Sequence, residues 1–221
     1  MKKKILCVVG TRPEAVKMAS VILALKAETW ADVCVLATAQ HRQILDQVMN
    51  FFGIVPDIDL DIMQPNQALT TLTARLLIQL DSVLQKQQPD VVLAQGDTTT
   101  VMAVSLACFY HHIPFGHVEA GLRTWDIQNP FPEEVNRVIA GRLARWHFAP
   151  TESSRQNLLR EGVKDKDIVV TGNTVIDALL MTASKDLELG VLLDETKRLV
   201  LVTSHRRENF GIRLRNICLA L

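Results

Sequence analysis

Short, β-branched apolar runs alternate with longer helical patterns along most of this chain, and few folds can accept that alternation. Ile5–Val9, Val33–Ala37, Val91–Ala94 and Phe115–Val118 are brief, apolar and bounded by turn residues, as strands buried on both faces are. Between them lie stretches with helical spacing. Glu14–Glu28 follows Pro13, whose missing N–H is harmless in a first turn. His41–Phe52 stops at Gly53, a suitable C-terminal cap. Leu69–Gln87 repeats leucines at helical intervals, and Thr98–His111 opens on three threonines that favour a helix start. The pattern continues through Trp146–Ala149, Thr151–Glu161, Ile168–Thr171 and Val175–Ala183. Strand–helix alternation predicts an α/β fold: a Rossmann-like, doubly wound parallel sheet. A polar stretch after Ser184 separates a first domain, 1–184, from a second segment, 185–221. In that segment Leu199–Thr203 reads as a fresh first strand and His205–Asn209 as the turn after it.

Charge and cysteine content narrow the function classes. Lys plus Arg equals Asp plus Glu at 24 each, so a neutral chain of 221 residues has no general attraction for nucleic acid or an anionic membrane. The four cysteines form no CxxC pair and sit in apolar stretches, which predicts buried thiols in a reducing compartment. Lys2–Lys4 and the run Ile5–Val9 are too short for a signal peptide and end in GTRPE rather than a small-residue cleavage site. No segment has membrane-spanning length, so the expected location is the cytoplasm.

In open α/β sheets ligands bind beyond the carboxyl ends of the strands, and the chemically interesting residues fall there. GTRPEAVK, Gly10 to Lys17, has neither Walker A nor GxGxxG spacing. It still combines a strand-end glycine, the cation Arg12, a helix N-terminus and Lys17 one turn on, a set suited to a diphosphate. A tight connection with a solvated arginine would look the same. Asp97, in QGDTTT, is either a functional carboxylate or a helix cap. Glu119 ends a buried strand, where a carboxylate is costly unless paired or functional. Glu133 follows Pro132 into a helix first turn, which the helix dipole favours in any case. His205, in TSHRREN, adds a group that titrates near neutrality to a cationic turn. His117 and Glu119 share a strand face, but no HExxH or clustered Cys/His accompanies them, so no metal is expected.

In order, the segments GTRPEAVKMA, TAQHRQILDQV, QGDTTT, IPFGHVEAGLRT, PFPEEVNR, PTESSRQNLLREGV, TGNTVIDAL and TSHRRENFG resemble the signatures of the bacterial non-hydrolysing UDP-N-acetylglucosamine 2-epimerases. The resemblance runs from the first strand almost to the last residue. It implies two Rossmann-like domains in the glycosyltransferase-B arrangement, with the second incomplete in this sequence. It implies reversible conversion of UDP-N-acetylglucosamine to UDP-N-acetylmannosamine for surface polysaccharides, without an added cofactor, and in the full-length form a homodimer. Carried over by position, Asp97, Glu119, Glu133 and His205 match the family's essential groups, and Arg12 and Lys17 match its first-loop ligand contacts. Gln40 and Gln43 match an activator pocket of some members, while Asn66 stands where some of these carry Arg. The family's second domain supplies most uridine and ribose contacts, so a chain of this extent is expected to bind UDP-sugar weakly and to be inactive alone. The alternatives are a hydrolysing 2-epimerase releasing N-acetylmannosamine, a glycosyltransferase of similar architecture, and a UDP-sugar-binding fragment without catalysis.

Overall fold

The computed structural model describes residues 2–38, 42–62, 67–185, 196–200, 202 and 211–220, with the side chains of 42–44 outside that set. The chain divides into two compact units, Met1–Ser184 and Lys185–Leu221. The first unit holds a seven-stranded sheet built from β1 (Lys3–Val9), β2 (Ala31–Ala37), β3 (Ile58–Asp59), β4 (Val91–Gln95), β5 (Phe115–Val118), β6 (Trp146–Ala149) and β7 (Ile168–Val170). The spatial order is β3-β2-β1-β4-β5-β6-β7 and every pairing is parallel.

Alternation along each strand divides the core between two faces. Leu6, Val8, Val92, Ala94 and Phe115 point to the face covered by α3 (Leu69–Gln87) and α4 (Thr99–Tyr110), with Ala140 of α5 (Glu133–Leu143). Ile5, Cys7, Val9, Val35 and Leu93 point to the other face, under α1 (Arg12–Ala27), α2 (Arg42–Phe51) and Ala178 of α7 (Thr174–Ala183). A smaller cluster of Ala120, Ala149, Leu158 and Ile168 seats α6 (Glu152–Arg160) beside the last strands. Both faces are therefore helix-covered, as an all-parallel sheet requires.

The helix starts expected from composition are present as side-chain caps. Thr98 accepts from Val101 N at the head of α4, Thr151 from Ser154 N at α6, and Asn173 from Val175 N at α7. Gly53 ends α2 with φ +69°. Two expectations need correction. The strand foreseen at Leu199–Thr203 is not formed at its described residues 199, 200 and 202, residues 201 and 203 lying outside the described set, and the second unit's described helix is α8 (Ile212–Ala220). The cysteines are not uniformly buried. Cys7 and Cys108 are, but Cys34 is half-buried and Cys218 is exposed, because α8 buries none of its side chains.

Candidate active site at the switch point

β1 and β4 are neighbours in the sheet, yet the helices that follow them pack on opposite faces. Such a reversal opens a crevice at the strands' carboxyl ends. The loop after β1, the turn after β4 and the end of β5 meet there, carrying Gly10–Arg12, Gly96–Asp97 and Glu119.

Glu119 sits immediately past β5 with φ +63°, a left-handed conformation that non-glycine residues seldom adopt. Donors from three separate elements hold its carboxylate. Lys17 Nζ of α1 reaches both oxygens at 2.7 Å, Gln95 Nε2 at the end of β4 donates to Oε2, and Asn173 Nδ2 before α7 donates to Oε1 at 3.1 Å. The Glu119 side chain is 9% exposed, so the ion pair is largely shielded from water. The Lys17 ammonium, which the sequence offered to a diphosphate, is paired with this carboxylate.

Asp97 is held from the far side of the crevice. Arg137 Nη2 of α5 donates to its Oδ2, and Asn136 Nδ2 donates to its main-chain carbonyl at 2.9 Å. Arg137 is itself fixed by Glu134, whose Oε2 lies 3.2 Å from Nη1. Glu134 is 1% exposed, and its other oxygen accepts from the N–H groups of Thr124 and Trp125 at 3.0 Å each. A relay of Glu134, Arg137 and Asp97 thus ties the loop after β5 to the turn after β4. Burial makes this relay matter, because charges out of water must be paired.

His117 adds a neutral tie. Its Nε2 is 2.7 Å from the carbonyl of Gly96, so this nitrogen carries the proton, since a carbonyl can only accept. Burial lowers the imidazole pKa to about 4, and the ring is uncharged at neutral pH.

Glu14 is the carboxylate that inspection of the sequence passed over. It is 3% exposed at the third position of α1 and accepts from Gly10 N, Thr11 N and the Thr98 hydroxyl. Desolvation pushes its pKa up to about 7 against those hydrogen bonds, and the charge of Asp97 pushes the same way. The Thr-x-x-Glu spacing from Thr11 to Glu14 was the signal for it.

The remaining candidates are distributed as follows. Arg12 is exposed at the start of α1 and lines a cavity of about 320 Å³ with Val16, Phe51 of α2 and Thr182 of α7. Glu133 opens α5, half-buried and without a hydrogen bond or ion pair among the described residues, whereas its neighbour Glu134 makes the buried contacts. Gln40, Asn66 and His205 lie outside the described residues, as does the side chain of Gln43. Among the described residues there is no group of three or more His, Cys, Asp or Glu suited to a metal ion, and no helix long and apolar enough to cross a membrane.

Comparison with known proteins decides the family. The model of the UDP-N-acetylglucosamine 2-epimerase family matches residues 23–221. The chain belongs to that family. The UDP-N-acetylglucosamine 2-epimerase of Escherichia coli strain K12 is 54% identical over 228 residues, covering 99% of this chain and 61% of the relative. A putative enzyme of the same name from Clostridium acetobutylicum is 51% identical over 99% of this chain and 58% of its own length. Among solved structures, the Neisseria meningitidis UDP-GlcNAc 2-epimerase bound to UDP-GlcNAc superposes with a TM-score of 0.87 at 47% identity, covering 98% of this chain and 61% of that one. The fold is thus that of the glycosyltransferase-B-type epimerases, and the chain spans about three fifths of the length of these relatives.

Proposed function

We propose that this chain carries the sugar-facing part of a non-hydrolysing UDP-N-acetylglucosamine 2-epimerase. The reaction is reversible conversion of UDP-N-acetylglucosamine to UDP-N-acetylmannosamine by elimination and re-addition of UDP. The observation that carries this reading is the pair Asp97 and Glu119 at the ends of adjacent strands, each held by its own cation. The UDP-GlcNAc in the Neisseria meningitidis structure supports the substrate class.

Inverting the carbon that bears the acetamido group requires breaking its C–H bond. No carbonyl lies beside that carbon to make the proton acidic. Elimination avoids the difficulty: the C–H electron pair forms a ring double bond, the proton passes to a base, and UDP leaves with the anomeric C–O pair. Return of a proton to the opposite face, with UDP adding back, completes the inversion. The chemistry needs acid–base groups on two faces and stabilisation of the departing diphosphate, and each positioned acid or base contributes ~100- to 10,000-fold.

In this reading Asp97 and Glu119 transfer protons or orient the sugar, and Glu133 joins the acid–base work. Arg12 and His205 attend the diphosphate, and Lys17, paired with Glu119, contacts the substrate with it. Gln40 and Gln43 belong to an activator pocket. Residues 1–184 form the first domain, and 185–221 the linker and start of the second. The full-length enzyme is a cytoplasmic homodimer serving surface polysaccharide synthesis.

The test is incubation with UDP-N-acetylglucosamine in deuterated water, followed by NMR of the sugar. It is run on the 221-residue chain and on a chain extended to the length of the relatives. Deuterium at the acetamido-bearing carbon with UDP-N-acetylmannosamine appearing supports the proposal. Free N-acetylmannosamine would point to the hydrolysing branch. Exchange in the extended chain alone would make these 221 residues a UDP-sugar-binding part of the enzyme. No exchange in either would overturn the reading.

A further inference from the structure

The loop after β1 presents the backbone donors that a diphosphate would seek, and in this structure they are already engaged. Glu14 turns its carboxylate back over the start of α1. Oε2 accepts from Gly10 N at 2.5 Å and Thr11 N at 2.9 Å, and Oε1 accepts from the Thr98 hydroxyl at 2.5 Å. A capping box accounts for only one of these bonds, the one from the Thr11 N–H. The bonds to Gly10 and Thr98 extend beyond it, and Thr98 caps α4 next to Asp97. The pocket has no spare room. A Cβ on Gly10 would lie 2.7 Å from Thr100 Oγ1 and 2.8 Å from Thr38 Oγ1. A carboxylate and a phosphate oxygen make the same demand on a helix N-terminus, so one excludes the other.

We propose that Glu14 is a positioning residue that fills the anion site at the head of α1 with the chain's own carboxylate and pins the Gly10–Arg12 loop to the Thr98 cap beside Asp97. A diphosphate is thereby turned away from the Gly10 and Thr11 amides, and the sugar rather than the phosphate lies over Asp97 and Glu119. The inference rests on the epimerase reading for the identity of the excluded group. Its test requires no turnover, so the two fail separately.

The ¹⁵N-labelled 221-residue chain is titrated with inorganic pyrophosphate in an Arg12→Ala background, which removes the neighbouring guanidinium, while the Gly10 and Thr11 amide resonances are followed. With Glu14 in place they do not move. In the double variant Arg12→Ala with Glu14→Ala, with the donors freed, they move and saturate. Movement with Glu14 in place, or none in a folded double variant, overturns the proposal. A second readout is independent of that variant's folding. The Gly10 amide of the wild type is expected to move downfield as the Glu14 carboxylate ionises, with burial and the charge of Asp97 placing that step above the ordinary carboxylate range. Glu14→Gln, which keeps the side-chain size, removes the transition. A Gly10 amide with the same pH response in the wild type and in Glu14→Gln, at whatever pH it falls, would equally overturn it.

Discussion

Glu119 can stay ionised at a buried strand end because α1, β4 and the turn before α7 each send it a donor. Lys17 is the only cation among the three. Lys17→Met leaves a carboxylate that is 9% exposed with two amides and no counter-charge. Removing one partner of a shielded pair destabilises by about 3 kcal/mol, the lower end of the usual range because the lysine is partly exposed. Urea unfolding at pH 7 checks this, and a loss under about 1 kcal/mol would mean that water screens the pair. Asp97 behaves differently. Asp97→Asn keeps an oxygen for Arg137, so the folded state should survive with little change in Tm. In a chain extended to the relatives' length, deuterium incorporation should fall ~100-fold or more, and near-normal exchange would remove Asp97 from the proposed chemistry. The placement of Asp97 and Glu119 just beyond strand ends was legible in the sequence from the apolar runs that precede them. Glu14 was concealed by its ordinary explanation, since a capping-box glutamate needs no second role. The relay through Glu134 and Arg137 was concealed because adjacent glutamates look alike until the loop at Thr124–Trp125 shows which of them is buried against it.

Elements were easier to read than contacts. Continuous apolar runs gave most of the strands to within a residue or two, and Thr98, Thr151 and Gly53 marked helix ends by chemistry that does not depend on tertiary packing. β3 was missed because two residues, Ile58 and Asp59, are too few to show any period. Its pairing with Leu36 and Ala37 comes from the sheet rather than from local preference. Glycines carry a similar distinction. Gly53 and Gly121 both have positive φ, +69° and +90°. Around Gly53 nothing lies within 4 Å of an added Cβ, so Gly53→Ala should lose only the left-handed penalty, about 1 kcal/mol. At Gly121 the Cβ would fall 2.3 Å from the carbonyl oxygen of Ser154, on the first turn of α6. Backbone cannot move aside as a side chain can, so α6 must shift off the sheet. Gly121→Ala should lose more than about 3 kcal/mol or fail to fold. Equal losses at the two positions, by thermal or urea unfolding, would show that φ alone decides.

For the molecule as a whole, three buried titratable groups set opposing responses to acid. His117 and His147 are partners across β5 and β6, 1% and 2% exposed, and burial lowers both from an ordinary 6.5 to about 4. Their stabilising contribution is complete above pH 6.5, where folded and unfolded forms are both neutral. It is lost as pH falls toward 4, because the unfolded chain takes up protons that the folded chain refuses. Glu14 runs the other way. Its folded pKa of about 7 lies above the ordinary 4.5, so its contribution is complete below 4.5 and is lost as pH rises through 7. Each shift corresponds to about 3 kcal/mol. From pH 7.5 to 4 the histidines together lose about 6 kcal/mol, Glu14 returns about 3, and the sum is a loss of about 3 from these groups. Two substitutions should separate the terms. His147→Leu should make the fall shallower by about 3 kcal/mol, and Glu14→Gln should make it steeper by about the same amount. Urea unfolding at half-unit pH steps across this range gives all three curves. If they ran parallel, the buried groups would be exchanging protons with solvent as freely as exposed ones do, and the low-dielectric floor beneath the Asp97–Glu119 crevice would not exist.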